Sequence, residues 1–370
     1  MRELDEKADR LARLAHSEGA GGILVNTQPN FAWLTGGRSN RIDGSRENGN
    51  GSLLVTARGD RYVVANNIEM PRLQEEALVG LGFKPLEYRW TSEHADPSTP
   101  LQAARDVVGN GCDIACDGAL VGGRPLEAQI AAERSLLTDE EVERYRAFGR
   151  DMGVAVGEAC RALVPGLDEQ EVARRARMAV EGAGARAVVT LVAADDRIAR
   201  FRHPAPTAER WRHSVMVVIC AQRAGLTVAL SRIVMAETPS TEFVHRTEAT
   251  TTVFERLVRA TKAGVNGAEL FTVAAKAYAD AGFPGEEGRH HQGGAIGYRS
   301  RDWVAHPASR DLVRSRQSFA WNPSITGTKV EETALLTPDG IELLTTSPGW
   351  PAIPISAGGR ALPAPGWLML

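Results

Sequence analysis

The sequence predicts an α+β protein of two domains. Its 370 residues are too many for one ordinary hydrophobic core, so two domains are expected. Helix-like and strand-like segments alternate over residues 1–120, which is typical of a small α/β domain. Further along, pairs of helices are followed by runs of strands, which indicates a second and larger domain. We place the domains at 1–125 and 126–357, with a C-terminal tail at 358–370.

The first domain is predicted to begin with an amphipathic helix. Leu4, Ala8, Leu11 and Leu14 recur at helical spacing over residues 3–18. "GGILVN" predicts a short apolar strand, and "GSLLVTARGDRYVVANN" predicts two strands joined by the turn "ARGD". "EMPRLQEEALVGLG" predicts another helix that ends at glycine, and "KPLEYRW" and "GCDIACDG" predict the last two strands.

The second domain is predicted to open with two capped helices. Thr138 and Glu141 form a capping-box pattern, and Pro165 with Gly166 ends that helix. "LDEQEVARRARMAVEGAGA" predicts the next helix, with acidic residues in its first turn. "AVVTLVAA", "SVMVVICAQ" and "LTVALSRIV" predict three strands, the last two joined as a hairpin by "RAG". Two more helices precede a strand-rich segment over 293–344.

The composition excludes several functional classes. The formal net charge is −3, so no basic surplus points to nucleic acid or to an anionic membrane. The N-terminus is charged throughout and shows no signal peptide, and no apolar run approaches the roughly 20 residues that span a bilayer. The four cysteines form no CxxC pair, which favours a reducing, cytoplasmic compartment over a disulfide-stabilised secreted domain.

Two histidine motifs offer groups that titrate near neutral pH. His203 lies in "FRHPAPT", where the His-Pro step predicts extended backbone or a turn. It is either an acid–base group or a loop histidine bonded to backbone. His290 and His291 precede a glycine-rich segment, and on a strand they would point to opposite faces. The glycines allow either close approach of a ligand or a tight strand bend.

The segment "AWNPSITGTKVEETALL" carries the other candidate polar groups. Strand alternation places Glu331 on the face of Lys329 and Glu332 on the opposite face. A buried carboxylate beside an ammonium is either a structural ion pair or a base with its partner. Asn322 can both donate and accept hydrogen bonds, which suits holding an amide, an amidine or a carboxylate.

Two residues of the apolar hairpin are unusual for their surroundings. Arg232 lies within "LTVALSRIVM" and needs a partner. It either clamps a substrate carboxylate or pairs with Glu331. Cys220 ends another apolar strand, where a thiol is more often inert packing than a nucleophile. Arg299, Arg301 and Asp302 follow the glycine-rich segment and form either a pocket rim or an exposed charged loop.

Five motifs in order resemble the creatinase, aminopeptidase P and prolidase superfamily. They are "NFAWLTGG", "LTDEEVERYR" with "LVPGLDEQEVA", "RHPAPT", "HHQGGAIGY" and "AWNPSITGTKVEETALLTPDGIELLT". The resemblance covers nearly the whole chain. It implies a C-terminal pita-bread domain, as in creatinase and methionine aminopeptidase, after a smaller N-terminal creatinase-type α/β domain. It also implies a homodimer.

The resemblance implies loss of the superfamily's two-metal centre. Metal-dependent members bind two metals through two Asp, one His and two Glu. Here these positions fall on Cys220, Ser231, Gly294 or Ala295, Asn322 and Glu331. A hard divalent ion needs several oxygen or nitrogen ligands, and only Glu331 remains a carboxylate. We therefore expect no metal and no other cofactor.

The expected function is a metal-independent, creatinase-like hydrolysis of a C–N or amide-like bond in a small polar molecule. His203 matches a histidine that creatinase-like enzymes use in proton transfer, and Glu331 is the expected base or cation anchor. The expected substrate-binding residues are His290, Asn322, Arg232, Lys329 and Tyr298, which closes the glycine-rich motif. The alternatives are a lyase of specialised metabolism and a non-catalytic binding module, since degenerate members of the superfamily bind proteins or peptides.

Overall fold

The chain forms two compact units, residues 1–140 and 141–370. The computed structural model describes residues 3–109, 111–118, 120–357 and 359–370. The first unit therefore continues beyond residue 125, where the sequence placed the boundary, and it includes the helix Glu127–Arg134. Gly358, the first residue of the predicted tail, lies outside the described residues.

The first unit is a six-stranded mixed sheet with helices. The strands are β1 (Gly22–Thr27), β2 (Asn48–Thr56), β3 (Arg61–Asn66), β4 (Lys84–Tyr88), β5 (Ile114–Cys116) and β6 (Arg124–Pro125), and their order in the sheet is β4-β3-β2-β1-β5-β6. The helices are α1 (Glu3–Ser17), α2 (Gln28–Leu34), α3 (Met70–Arg72), α4 (Trp90–Ala95), α5 (Thr99–Val108) and α6 (Glu127–Arg134). The predicted β2–β3 hairpin is confirmed, with Ser52 opposite Val64.

The helix predicted over "EMPRLQEEALVGLG" is shorter than expected. It consists of α3 and one π-helical turn, Leu73–Ala77. Gly80 and Gly82 follow with positive φ values of 78° and 74°, a conformation that ends a helix readily because glycine has no Cβ.

Four long helices and one short helix belong to the second unit. They are α7 (Asp139–Arg161), α8 (Glu169–Gly182), the short α9 (Arg197–Arg200), α10 (Thr241–Ala260) and α11 (Gly267–Asp280). Asp168, Ser240 and Asn266 cap the starts of α8, α10 and α11, each accepting a hydrogen bond from a backbone N–H of the first turn. Such caps satisfy amide donors that have no partner within the helix.

Two larger sheets and two ribbons complete the second unit. The strands are β7 (Arg186–Ala194), β8 (Ser214–Arg223), β9 (Leu226–Met235), β10 (Gly293–Ile296), β11 (Trp303–Val304), β12 (Gln317–Trp321), β13 (Ser324–Ile325), β14 (Thr328–Lys329), β15 (Glu332–Thr337), β16 (Gly340–Leu343), β17 (Ala352–Ala357), β18 (Arg360–Pro365) and β19 (Trp367–Met369). One sheet has the order β19-β9-β8-β7 and the other β11-β10-β12-β15-β16, while β13–β14 and β17–β18 form two-stranded ribbons. The predicted hairpin through "RAG" is β8–β9.

The two larger sheets of the second unit meet at their central strands. The amide of Ala229 in β9 donates to Thr333 Oγ1 of β15, and Thr333 Oγ1 in turn donates to the carbonyl of Ala229. The apolar core on α10, α11 and the five-stranded sheet includes Phe254, Tyr278 and Trp321. This packing fixes β9 beside the start of β15, where the candidate polar residues lie.

Residues 359–370 are part of the second unit and not a separate tail. β18 pairs with β17, and β19 lies parallel to β9, with Trp367 opposite Ile233. These strands were not predicted from the sequence, because proline at 354, 363 and 365 is unusual inside a β ladder.

Within the described residues, every helix is too short or too polar to cross a lipid bilayer.

Candidate active site

A cavity of about 260 Å³ lies in the second unit. One wall is apolar and consists of Val189, Leu191 and Val218 on β7 and β8. The polar groups that line it are His203, His291, Ser300, Arg301, Asn322, Lys329 and Glu331, together with the thiol of Cys220. The volume is slightly below the usual range of ligand pockets, about 300–1,000 Å³, so the cavity suits a small molecule.

The loop that carries His203 is fixed at both ends by one buried carboxylate. Glu169, fully buried at the start of α8, accepts hydrogen bonds from the amides of Ala194 and Thr207, both at 2.8 Å. Its oxygens also lie 2.6 and 2.8 Å from Arg197 Nη1. Within the loop, Arg202 pairs with Glu286 at 2.5 Å. These bonds hold an irregular segment in one conformation.

Three histidine side chains form a cluster, and two of them, His203 and His291, line the cavity. The Nε2 atoms of His203 and His290 are 3.1 Å apart. The rings of His290 and His291 stack with centroids 4.4 Å apart and planes 25° from parallel. The prediction that His290 and His291 point to opposite faces is therefore wrong. Both precede β10, which begins at Gly293, so strand alternation does not apply to them.

Gln292 holds the turn that carries this histidine pair. Its side-chain amide donates to the carbonyl of His290, and Tyr278 Oη donates to Gln292 Oε1 at 2.6 Å. Gln292 is fully buried, and its carbonyl accepts the amide of Asn322 at 3.0 Å. The histidine turn and the start of the Asn322 segment are thus connected.

Glu331 lies at the polar end of the cavity, as the alternation argument predicts. Ser231 Oγ donates to Glu331 Oε2 at 2.6 Å, and Lys329 Nζ lies 3.2 Å from the same oxygen. Arg301 Nη2 is 3.5 Å from the other oxygen, Oε1. The two cations and one carboxylate leave one net positive charge at this end of the cavity.

Burial and neighbouring charges shift the titration of these groups. Burial raises the pKa of Glu331, but Lys329, Arg301 and the Ser231 hydrogen bond outweigh it, so the pKa lies below its ordinary value. Burial lowers the pKa of His291 to about 4, with Arg301 and Lys329 adding to the effect. Burial and then Lys329 lower the pKa values of His203 and His290 too. All three imidazoles are therefore uncharged at neutral pH.

Four buried atoms around the cavity have no hydrogen-bond partner in the described part of the chain. They are Asn322 Oδ1, His290 Nδ1, His291 Nδ1 and Arg301 Nε. Unsatisfied buried polar atoms are rare in folded proteins and call for a physical reason such as a ligand. Asn322 is 2% exposed and lines the cavity, so its amide oxygen is available to an N–H group of a bound molecule.

Three of the predicted substrate-binding residues are not part of the cavity lining: His290, Arg232 and Tyr298. His291 lines the cavity in place of His290, which contacts His203 instead. Arg232 pairs with Glu332 at 2.9 Å and donates to Ser347 Oγ at 3.0 Å, because alternation along β9 turns it away from Ser231. It therefore neither lines the cavity nor pairs with Glu331. Tyr298 is 1% exposed and donates to Glu141 at 2.7 Å, outside the cavity lining.

Sequence reasoning missed the importance of two residues. Arg301 was assigned either to a rim or to an exposed loop, and it reaches Glu331 from the loop after β10. The cluster of charged residues in "YRSRD" was the available signal, but it does not indicate which way each side chain points. Glu169 looked like one of several acidic residues in the first turn of α8, and nothing local distinguishes it from Glu171, which is not buried.

Comparison with known families decides the relationship. The family model described as metallopeptidase family M24 matches residues 143–340, which is more than half of the chain. The chain belongs to metallopeptidase family M24. The predicted superfamily membership is thereby confirmed.

Solved structures confirm the predicted pita-bread fold with its N-terminal domain. A dipeptidase PepE from Mycobacterium ulcerans superposes with a TM-score of 0.78 at 19% identity, covering 94% of this chain and 96% of that one. A prolidase from Pyrococcus horikoshii gives 0.76 at 17% identity, with 92% and 98% covered. The N-terminal domain of the FACT complex subunit SPT16 from chickpea gives 0.68 at 9% identity, with 93% and 96% covered. No curated protein matches the chain.

The residues that the resemblance assigns to the family's metal positions do not fit a two-metal centre. Glu331 is occupied by Ser231, Lys329 and Arg301. Burial raises the pKa of the Cys220 thiol to about 11, and a thiol is not a ligand that hard divalent ions prefer. A Cβ on Gly294 would lie 2.1 Å from the carbonyl oxygen of Trp303, so no side chain fits there.

Proposed function

We propose that the protein hydrolyses a C–N or amide bond in a small molecule that carries a carboxylate, without the two-metal centre of its family. One observation supports this most directly. His203 meets Asn322, Lys329 and Glu331 in one cavity of about 260 Å³, although His203 lies far upstream of the segment that carries the other three. Decay of an enzyme would not select a set of polar groups that still converge.

His203 is the proposed proton carrier. Its ring is uncharged at neutral pH, so it can accept a proton from the attacking water while the new C–O bond forms. It then returns the proton to the nitrogen that leaves when the C–N bond breaks. His290 is the proposed positioning residue, because the 3.1 Å contact holds the His203 ring. Its strongly lowered pKa keeps His290 from taking the proton itself.

Glu331 is the proposed cation anchor. Glu331 was expected to act either as the base or as an anchor for cations. Because its pKa is lowered, it is a weak base, which favours the role of anchor. It holds Lys329 and Arg301 beside the cavity, where their one net charge can bind a substrate carboxylate or a developing oxyanion. The apolar wall accommodates the remaining part of the molecule, and Asn322 Oδ1 can accept a substrate N–H.

A homodimer in a reducing compartment such as the cytoplasm completes the proposal. The family resemblance suggests the dimer, and four free thiols support the reducing compartment. Light scattering of the purified chain measures its mass directly. A monomer at micromolar concentration would contradict the dimer.

Ligand screening tests the substrate class. Chelator-treated protein is heated with small N-acyl amino acids, dipeptides and guanidino acids, and with the amide of each as a matched uncharged control. A ligand at a hundred times its Kd stabilises by about 2.7 kcal/mol, a rise in Tm of roughly 3–6 °C for a chain of this size. We expect shifts with carboxylates and none with their amides. Equal shifts for both would remove the carboxylate from the proposal.

Turnover tests the proton carrier. Compounds that stabilise the protein are incubated in EDTA, and the released amine is measured. His203→Ala should lower turnover by about 100- to 10,000-fold, the usual contribution of an acid–base group, while Tm stays near the wild-type value. Full activity in this variant would exclude His203. Elemental analysis runs in parallel, and two equivalents of Mn, Fe, Co or Zn would contradict the absence of the family's centre.

A binding module is the second candidate. It is favoured by the donor set that does not fit two metals, and the same fold occurs in a FACT complex subunit. A module that binds proteins should ignore every small carboxylate in the screen, whereas an enzyme should respond to some. A lyase would use the same residues, and incorporation of ¹⁸O from water into the product separates it from a hydrolase.

A further inference from the structure

We propose that His203, His290 and His291 form a mononuclear site for a zinc-class transition metal, separate from the two-metal position of the family. One ligand nitrogen from each ring lies within 4.8 Å of the other two. Three imidazoles with an open fourth position are a common ligand set for Zn²⁺.

The nitrogen positions fit tetrahedral coordination. Zn–N bonds of about 2.0–2.1 Å at tetrahedral angles place neighbouring nitrogens about 3.3 Å apart. The Nε2 atoms of His203 and His290 are 3.1 Å apart, so this pair is already at the required spacing. The ligand atom of His291 lies within 4.8 Å of the others, so its ring has to approach by up to about 1.5 Å to reach the tetrahedral spacing.

Independent features of the cluster also point to a ligand. His290 is 8% exposed, and Nδ1 of the cavity-lining His291 is buried without a partner in the described residues, so this nitrogen is available to an ion. The backbone that carries both rings is fixed by the Gln292–Tyr278 hydrogen bond at 2.6 Å. Supported, convergent imidazoles lose little conformational freedom when an ion binds, which raises affinity.

The charges around the cluster favour an anion as the fourth ligand of the ion. Lys329 and Arg301 face Glu331 and leave one net positive charge near the cluster. A dication there gains from an anionic fourth ligand, either hydroxide or the carboxylate of a bound molecule. The hydrogen-bonded Glu331 is already occupied and is not counted among the ligands.

Metal binding has a functional consequence that rests on the proposed function. An ion on Nε2 of His203 keeps the ring proton on Nδ1, so the ring has no lone pair left to accept a proton from water. The same ion also narrows the mouth of the cavity. Zn²⁺ should therefore inhibit turnover, in contrast to the activating metals of a metallopeptidase.

The first test measures binding without any substrate. The chelator-stripped full chain is titrated with CoCl₂ and followed by visible absorption, and with ZnCl₂ by calorimetry. We expect one ion per chain and a tetrahedral Co²⁺ spectrum without a sulfur charge-transfer band. His290→Ala and His291→Ala should each weaken binding at least about 100-fold. His306→Ala, which removes an exposed histidine of the same unit, is the matched control and should bind like wild type.

The outcomes separate this site from its alternatives. Two ions per chain, or loss of binding in Cys220→Ser, would place the metal at the family position and overturn the proposal. No stoichiometric binding, or wild-type affinity in both histidine variants, would overturn it as well. Circular dichroism of the metal-free variants checks their fold, and His291→Gln serves if His291→Ala does not fold.

Turnover gives the second readout. Zn²⁺ should inhibit turnover by the wild type and by the His306→Ala variant at the same concentration. Turnover by His291→Ala should stay close to the rate of that variant without metal. Zn²⁺ that binds to the histidines but raises turnover would keep the site and contradict the inhibition, together with the metal-independent mechanism. Failure to find any substrate leaves the binding result decisive for the site.

Discussion

Glu331 and Glu332 are adjacent, equally buried at 1% exposure, and opposite in character. Glu331 faces the cavity with Lys329, Arg301 and Ser231, and these partners hold its pKa below the ordinary value. Glu332 faces a closed pocket of protein with Arg232 at 2.9 Å and the Thr345 hydroxyl. Burial dominates there, so its pKa lies above the ordinary value in spite of the arginine.

The comparison separates a carboxylate placed for chemistry from one placed for structure. Both glutamates are desolvated, and the number of cations around each decides the sign of the pKa shift. The Glu331 cluster opens into a cavity and keeps a net positive charge, whereas the Glu332–Arg232 pair is enclosed and neutral. A structural ion pair tolerates replacement as a unit, but a ligand site does not.

The largest expected effect on stability is from breaking the Glu332–Arg232 pair. Glu332→Ala leaves Arg232, which is 1% exposed, as an uncompensated buried charge. We expect the free energy of unfolding to fall by about 3–5 kcal/mol in urea denaturation. The double variant Arg232→Met with Glu332→Leu should recover most of that loss. If the double variant is as unstable as the single one, an uncompensated charge on Arg232 does not explain the loss of stability.

A third buried glutamate extends the comparison to the loop that carries His203. Glu169→Gln removes the charge that Arg197 contacts at 2.6 Å and some of the hydrogen bonds to residues 194–207. We expect a loss of about 1.5–3 kcal/mol in urea and a lower kcat, because the histidine is less well held. Glu171→Gln on the same helix, where the ion pairs are partly exposed, is the control and should change stability by less than about 1 kcal/mol. Unchanged kcat in Glu169→Gln would separate the loop from catalysis.

Neutralising Glu331 should change the affinity of the cavity for small carboxylates. Glu331→Gln raises the net charge beside the cavity, so small carboxylates that bind there should bind roughly tenfold more tightly, equivalent to about 1.4 kcal/mol. Calorimetric titration with a compound from the screen measures this. Weaker binding in the variant would mean that Glu331 contacts a cationic part of the ligand directly.

The smallest effect concerns a thiol that reports on the charge of Glu331. Burial, with Glu331 adding to it, raises the pKa of Cys220 to about 11. The thiolate fraction of Cys220 should therefore rise tenfold per pH unit between pH 8 and 10, and its alkylation by iodoacetamide should follow. Glu331→Gln should accelerate the reaction at fixed pH. Mass spectrometry locates the label, and the exposed Cys112 is the internal reference.

Local patterns predicted much of the fold. Hydrophobic periodicity located α1, α7, α8 and the β8–β9 hairpin, since these elements depend on neighbours along the chain. The short helices α2 and α4 and the proline-rich β17–β18 ribbon lack such periodicity and were missed. Tertiary packing, not intrinsic propensity, sustains elements of that kind.

The site was predictable where alternation held and unpredictable where the backbone was irregular. Alternation along the strand placed Glu331 on the same face as Lys329. The same rule turns Arg232 away from Ser231, but the sequence analysis did not identify Glu332 as the partner of Arg232. The histidine turn before β10 obeys no such period. The approach of His203 to His290 depends on a loop fixed by remote side chains, and only family resemblance suggested it.

The parallel pairing of β19 with β9 has a consequence for synthesis on the ribosome. β9 emerges early, while its neighbour Trp367–Met369 is translated far later, opposite Ile233–Met235. Until then one edge of the apolar strand β9 has unpaired amide and carbonyl groups that can form β pairs with another polypeptide chain. The nascent chain should therefore depend on chaperones through most of its translation, and variants shortened before residue 367 should accumulate in inclusion bodies.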